Sequence, residues 1–401
     1  MTARESNASW IDREVDLNSA PLHTLGLFAG IGGLELGFQR VGAICTALCE
    51  WNEYAQAILS DRFPEVRLHG DVQSLRAVPP VIDTLLAGFP CQDLSQAGKT
   101  QGISGARSGL VTEVFRLAKS KRVRHVVLEN VPFMLRLNQG RAMSVLAGEL
   151  ERLGFRWAYR VLDSRGFGVA QRRRRVFVLA SRDYDVARRF FPPDCESSPE
   201  PKPRAFGFYW TEGNTGLGWA EDAVPTLKCG SGLGIPSPPA IWVPRRGIFT
   251  PTIDDTESLQ GFSRGWTSRL EEAGQGRRRW ALVGNAVTVP VAEWVAMRLL
   301  APEGDAPHRT PISVGQAWPS AAYGGPGQQP SGVVCSEQPI ALRTPLLEKL
   351  DPERLLSERA TCGFFGRLQR SSLRRPAAFD RDLKLHIDRM AKTRCLQASR
   401  V

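Results

Sequence analysis

Between Leu22 and Ser181, short apolar runs alternate with longer amphipathic stretches. The runs Thr24–Phe28, Ile44–Leu48, Thr84–Ala87, His125–Leu128 and Val176–Ala180 predict strands, and the stretches between them predict helices. Such alternation predicts βαβ units and a mostly parallel sheet covered on both faces. From Arg182 to about Gly247 the pattern changes to Pro- and Gly-rich chain with Phe206, Phe208, Tyr209, Trp210, Trp219 and Trp242 and no helical period, which predicts an irregular inserted module. Regular patterning returns at Thr252–Gly261 and at Ala281–Leu300, the latter reading as a strand followed by a helix. The Pro/Gly/Ser/Gln-rich chain from Ala301 to about Gly332 reads as a linker, and roughly Ile340–Arg400 as helical and basic. The expected organisation is therefore a leader (1–20), a core (21–183), the insertion (184–247), a return to the core (248–300), a linker (301–335) and a helical C-terminal appendage (336–401).

Composition narrows the class of partner. With 42% hydrophobic and 23% charged residues, the 401-residue chain has the make-up of a folded protein. Its 52 Lys+Arg against 41 Asp+Glu leave a net charge of +11, which points to a polyanion such as nucleic acid. No apolar run reaches the ~18 residues of a membrane span, and Met1–Ala20 lacks the apolar core of a secretory signal. The eight cysteines are scattered without a CxxC pair, so neither a disulfide framework nor a metal site is expected. Free thiols in a reducing cytoplasm fit this usage.

Five motifs carry candidate chemistry. Phe28-Ala-Gly-Ile-Gly-Gly33 follows the first predicted strand and opens a helix, where glycines let a cofactor approach the backbone, or simply make a β–α turn. Glu50 ends the second strand, placed to accept ribose hydroxyls, and Trp51 beside it either stacks on a base or fills the core. Asp71 ends a third strand, placed for an adenine amine; three acid or glycine strand ends in register describe a nucleoside site. Ala87-Gly-Phe-Pro-Cys-Gln-Asp-Leu-Ser95 sets Cys91 on a glycine-flanked loop, as a nucleophile rather than the buried small hydrophobe a lone cysteine usually is. Glu129 in Glu-Asn-Val sits at the tip of another strand. Gln171-Arg-Arg-Arg-Arg175 runs straight into an apolar strand, so alternate arginines point into a cleft rather than to solvent. Leu282-Val-Gly-Asn-Ala-Val287 is a glycine-led turn after an apolar run.

In this order and spacing, from Leu25 to about Leu300, the five motifs resemble the C5-cytosine DNA methyltransferase family. The resemblance implies a Rossmann-like α/β sheet that binds S-adenosyl-L-methionine, a small target-recognition insertion and a C-terminal helical appendage outside the family pattern. It implies cofactor contacts at Phe28, Gly30, Gly32, Glu50, Trp51, Asp71, Pro90, Leu110, Asn285 and Val287. It implies Cys91 as nucleophile, Glu129 at the target ring, and Arg173 and Arg175 near the cytosine carbonyl and phosphates. Residues 96–108 match the loop that closes over DNA, and Thr226-Leu227 a pair common in the recognition region. Gly26 departs from the pattern, since many members carry an acid there.

The implied reaction is methyl transfer to C5 of a cytosine flipped out of duplex DNA. A Cys91 thiolate adds at C6 and makes C5 nucleophilic. The implied partner is double-stranded DNA, joined by a restriction endonuclease of the same specificity if the role is restriction–modification rather than DNA self-marking; the enzyme is expected to be a cytoplasmic monomer. Residues 184–250 carry no net charge, so phosphate attraction is expected from Lys119–Arg124, Arg172–Arg175, Arg277–Arg279 and the tail. An RNA cytosine methyltransferase on the same scaffold and a non-catalytic binding module are the alternatives. The large aromatic insertion favours duplex DNA over the first, and intact Cys91, Glu129 and arginines speak against the second.

Overall fold

A computed structural model describes residues 20–89, 109–195, 202–214, 216–228, 237–312, 317–350 and 352–398. The chain divides into two compact units. The first comprises Met1–Asp163, Arg174–Glu196 and Ala286–Ile340; the second comprises Ser164–Arg173, Ser197–Asn285 and Ala341–Val401.

The chain enters the first unit through β1 (His23–Leu27), helix Gly33–Arg40, β2 (Ile44–Cys49), helix Glu53–Arg62, β3 (Arg67–His69) and β4 (Thr84–Gly88). Helix Val111–Ala118, β5 (His125–Asn130), helix Arg141–Arg152 and β6 (Arg156–Asp163) follow. The chain then passes through β7 (Gln171–Arg172) in the second unit and returns in β8 (Arg174–Ser181). The insertion supplies β9 (Phe206–Phe208), β10 (Ala220–Glu221), β11 (Val224–Pro225), β12 (Ala240–Val243) and β13 (Gly247–Phe249). Finally β14 (Thr310–Pro311), β15 (Ala321–Gly324) and β16 (Ser331–Gly332) rejoin the first unit.

The first unit's ten strands lie in the order β14-β16-β15-β6-β8-β5-β4-β1-β2-β3. All five predicted runs are strands. The sheet is parallel only from β3 to β5, and every pairing from β5 through β8, β6, β15, β16 and β14 is antiparallel. The pattern reading missed β6 because Arg160 interrupts its apolar face. Arg160 is fully buried, and its charge is met by Asp194 at 3.1 Å and by the carbonyls of Phe190 and Ser336.

Two expectations from composition do not hold. The Pro/Gly-rich segment 301–335 is no linker, since it supplies three sheet strands. Its small residues are there to accommodate large neighbours: a side chain at Gly324 would meet Trp157 at 2.7 Å, and Trp318 packs on Trp157 and Tyr159 with ring centroids 5.9 and 6.2 Å away. Ala281–Asn285 is helical, not a strand; helix Gly276–Asn285 is followed by helix Val289–Leu300, with Pro290 in its first turn. Among the described residues, 276–300 is the one stretch long and apolar enough to cross a membrane, and most of it is buried in the protein.

The second unit contains the antiparallel sheet β10-β9-β12-β13 and the parallel pair β11–β7. Its core joins Phe208, Trp242 and Ile248 from the insertion to Leu356, Phe364, Leu368, Phe379 and Leu383 from the C-terminal region. Helices Glu358–Gln369 and Ala377–Ala398 are therefore no separate appendage. Without them one face of the small sheet has nothing to pack against.

Candidate active site

In the parallel half of the sheet, strand order reverses between β1 and β4, so the carboxyl ends of these two strands flank the crevice where open α/β sheets bind ligands. Phe28 follows β1 with φ +55°, a left-handed conformation costly for an aromatic residue. Gly30 and Gly32 share that region at φ +56° and +84°. A side chain at Gly30 would meet nothing within 4 Å, which leaves open space over the backbone; one at Gly32 would strike the Phe63 ring at 2.5 Å. The first glycine makes room, and the second lets the helix close on its neighbour.

Glu50, after β2, binds the glycine loop. One carboxylate oxygen accepts the Gly30 N–H and the other the Asn52 N–H, both at 2.8 Å. Burial raises its pKa despite these bonds. Trp51 is 78% exposed, which rules out the core-filling reading. Asp71 follows β3 and accepts the Gln73 N–H at 2.9 Å. Leu110 precedes helix Val111–Ala118 and packs on the sheet core. An open glycine cradle beside a carboxylate and an exposed indole fits a nucleoside cofactor.

At the other side of the crevice, Glu129 in β5 lies opposite Gly88 of β4. Its Oε1 is 3.0 Å from Arg175 Nε on β8, and the side chain is almost buried. Val287 approaches the same glycine, its Cγ2 3.9 Å from where a Gly88 side chain would begin. Asn130, buried beside Glu129, donates to the Phe89 carbonyl at 3.0 Å and accepts the Val131 N–H at 2.8 Å. Asn130 thereby fixes the last residue before Pro90. Pro90, Cys91 and the loop 96–108 lie outside the described residues.

The arginine run alternates as its sequence implies: Arg172 and Arg174 face outward, Arg173 and Arg175 inward. The two inward arginines differ. Arg173, in the second unit, is buried and donates to the carbonyls of Gly284 at 3.0 Å and Leu227 at 3.5 Å, so its described contacts brace the insertion. Gln171 works the same way, donating to the Leu259 carbonyl and accepting the Leu227 N–H, both at 3.0 Å. Thr226 donates to the Arg172 carbonyl at 2.8 Å, which fastens the Thr-Leu pair to the motif. Asn285 ends helix Gly276–Asn285 in the same unit.

Comparison with known proteins decides the family. The C-5 cytosine-specific DNA methylase description matches residues 22–206. Type II methyltransferase M2.BsuMI of Bacillus subtilis (strain 168) is 44% identical over 368 residues, covering 87% of this chain and 94% of that one. The chain belongs to the C-5 cytosine-specific DNA methylase family. This methylase is also 31% identical over 177 residues to type II methyltransferase M.HhaI of Haemophilus parahaemolyticus, covering 44% of this chain and 54% of that one. Its fold is that of the S. pombe Dnmt2 methyltransferase, at TM-score 0.52 and 14% identity over 69% of this chain and 98% of the other.

Sequence reading passed over Asn130, although it sits inside a quoted motif, and Glu35. Glu35 lies in the first turn of helix Gly33–Arg40, 1% exposed, with neither carboxyl oxygen hydrogen-bonded to another described residue. A side chain on Gly26 would collide with Glu35, so the departure at Gly26 and the buried acid go together. Burial pushes the Glu35 pKa to about 8. The phosphate-attracting runs are also thinner than expected. Arg279 is buried among Glu257, Asp254 and Glu271, Arg174 pairs with Glu337, and Arg124 pairs with Asp183.

Proposed function

We propose that this methylase binds S-adenosyl-L-methionine and double-stranded DNA and methylates C5 of a flipped-out cytosine through a covalent Cys91 intermediate. The observation that carries this reading is the layout of the strand ends: the Gly30–Glu50 loop follows β1 and β2, and the Glu129–Arg175 pair flanks the Phe89 carbonyl held by Asn130. Cys91 is two residues beyond Phe89 in the chain. S-adenosyl-L-methionine, when bound, supplies an electrophilic methyl group. Phe28, Gly30, Gly32, Glu50, Trp51, Asp71, Pro90, Leu110, Asn285 and Val287 would hold it, with Glu50 accepting from the ribose and Trp51 covering the base.

The thiolate of Cys91 adds to C6 and leaves C5 enamine-like, able to accept a methyl group. Glu129 holds the target at N3 and the exocyclic amine and stabilises the charge that addition places on the ring. Arg175 keeps Glu129 oriented and faces the O2 side, while Arg173 positions the recognition region. Loss of the C5 proton and departure of the Cys91 thiolate restore aromaticity. Burial and the nearby acids push the Cys45 and Cys49 thiols up to about 12, which keeps both protonated and unreactive. The relatives' names, type II methyltransferases, support a role as the modification partner of a type II endonuclease. The enzyme would act as a monomer in the cytoplasm.

Bisulfite sequencing of DNA from cells expressing the protein should reveal one methylated motif; unmodified DNA together with methylated tRNA in vitro would overturn the DNA reading. Duplex containing 5-fluorocytosine at that motif should trap the wild-type enzyme covalently when S-adenosyl-L-methionine is present, because fluorine cannot leave as a cation. Peptide mapping should find Cys91 alone, and an adduct at any other thiol would refute the nucleophile.

A further inference from the structure

The tight turn between β12 and β13 and the last helix, Ala377–Ala398, enclose a cavity of about 120 Å³ within the second unit. Arg245, Arg246 and Arg389 stand at its rim, all exposed, and Asp382 and His386 form its floor. No mechanistic step above uses any of these residues.

The floor carries one carboxylate: burial opposes ionisation of Asp382, but hydrogen bonds from Arg245 and Trp242 and the guanidinium of Arg381, 3.5 Å away, hold its carboxyl below the usual range. Asp382 is buried, and one of its oxygens accepts both the Trp242 indole N–H and the Arg245 backbone N–H at 3.0 Å. His386 has both ring nitrogens engaged: Nδ1 accepts the Ile248 N–H at 3.2 Å and Nε2 donates to the Leu356 carbonyl at 2.8 Å, so it is the neutral imidazole. The acid and the histidine thus serve the fold, and the three rim arginines outnumber the one carboxylate beneath them.

The rim is also costly to build. Arg245 has φ +66°, where a glycine would sit without strain, and the bond to Asp382 holds it there. Arg389 reaches across from the helix, its Nη1 3.4 Å from the Arg246 carbonyl. Three arginines against one aspartate line this small opening, an excess of positive charge that favours an anion. Planar guanidiniums match phosphate oxygens geometrically.

We propose that this cavity is a phosphate site that takes a backbone phosphodiester of duplex DNA, held jointly by the recognition region and the C-terminal helix. The proposal rests on the DNA substrate proposed above. Such a contact fixes register and adds affinity without reading bases.

The test compares Arg245→Gln/Arg246→Gln/Arg389→Gln with a charge-matched control, Arg359→Gln/Arg370→Gln/Arg374→Gln, whose arginines are exposed elsewhere in the same C-terminal region. Binding to the methylated-motif duplex and to a mixed-sequence duplex is measured across NaCl concentrations. The site variant should weaken both duplexes about equally and flatten the log–log salt slope by about 1, so that the wild type loses about 3.5-fold more affinity over a fourfold rise in salt. The control should keep nearly the wild-type slope. Equal slopes for wild type and site variant, or equal flattening in both triples, would overturn the site. If the triple variant melts early, Arg389→Gln alone must still flatten the slope. Inorganic phosphate that raises the melting temperature of wild type but not of the variant, with identical DNA slopes, would make this a small-anion site and overturn the DNA assignment. A wild-type protein that binds neither duplex would fail the proposed function before any variant is compared.

Discussion

Replacing Glu35 by glutamine should make the first unit more stable at alkaline pH and leave it unchanged in mild acid. The carboxyl is fully enclosed against Gly26, and burial lifts its pKa from 4.5 to about 8, outweighing the lowering effect of its own backbone N–H. Between those values the folded protein keeps a proton that the unfolded chain gives up, so unfolding releases a proton and stability falls as pH rises. The stability is fully present below pH 4.5 and is lost as pH climbs through about 8. At about 1.4 kcal/mol for each tenfold change in proton affinity, that gap amounts to at most about 5 kcal/mol. Glutamine imitates the protonated acid and removes the ionisation. Urea unfolding of both proteins from about pH 4.5 to 9 should give coincident curves at the acid end that separate steadily, with the variant the more stable. Parallel profiles across that window would show that Glu35 is hydrated or paired in solution and would refute the reasoning.

Asn130→Ala removes the hold on the Phe89 carbonyl and should lower kcat by about 100-fold while leaving S-adenosyl-L-methionine affinity nearly unchanged, because a misplaced nucleophile costs turnover and not cofactor binding; rapid-quench turnover with calorimetric titration checks both halves. Glu50→Ala should cost about 1.5–3 kcal/mol of cofactor affinity by titration, with DNA binding intact; undiminished affinity would move the ribose contact elsewhere. Ending the chain after Ile340 removes Leu356, Phe364, Leu368, Phe379 and Leu383 from the second core, worth about 10 kcal/mol of burial and comparable to a whole domain's stability. The near-ultraviolet signal of Trp242 should collapse and residues 202–285 become protease-sensitive, while the first unit stays protected; a truncated protein with full DNA affinity would contradict this.

The parallel strands β1, β2, β4 and β5 were legible because they are largely buried and read as continuous apolar runs. Glu50, Asp71 and Glu129 were legible because acids break those runs at strand ends. β6 escaped because a buried arginine looks polar to any pattern, and its neutralisation depends on Asp194, 34 positions away. β14–β16 escaped because small residues that pack on Trp157 have the same composition as a flexible linker. Arg173 and Arg175 are two residues apart and were given one role, yet one braces carbonyls and the other pairs with Glu129. Only three-dimensional neighbours separate them.

The second unit is assembled from three separated stretches of chain, the last of which follows the whole first unit. Exchanging target specificity between relatives by grafting 184–247 alone would therefore transplant a sheet without the helices that close its core, and a working chimera needs residues 341–401 from the same donor. Synthesis imposes the same order: a ribosome stalled near residue 340 has made every stretch of the first unit and none of the chain's final helices. On the division of labour proposed above, such an incomplete enzyme has the Gly30–Glu50 cradle but lacks the helices that close the core of its recognition sheet.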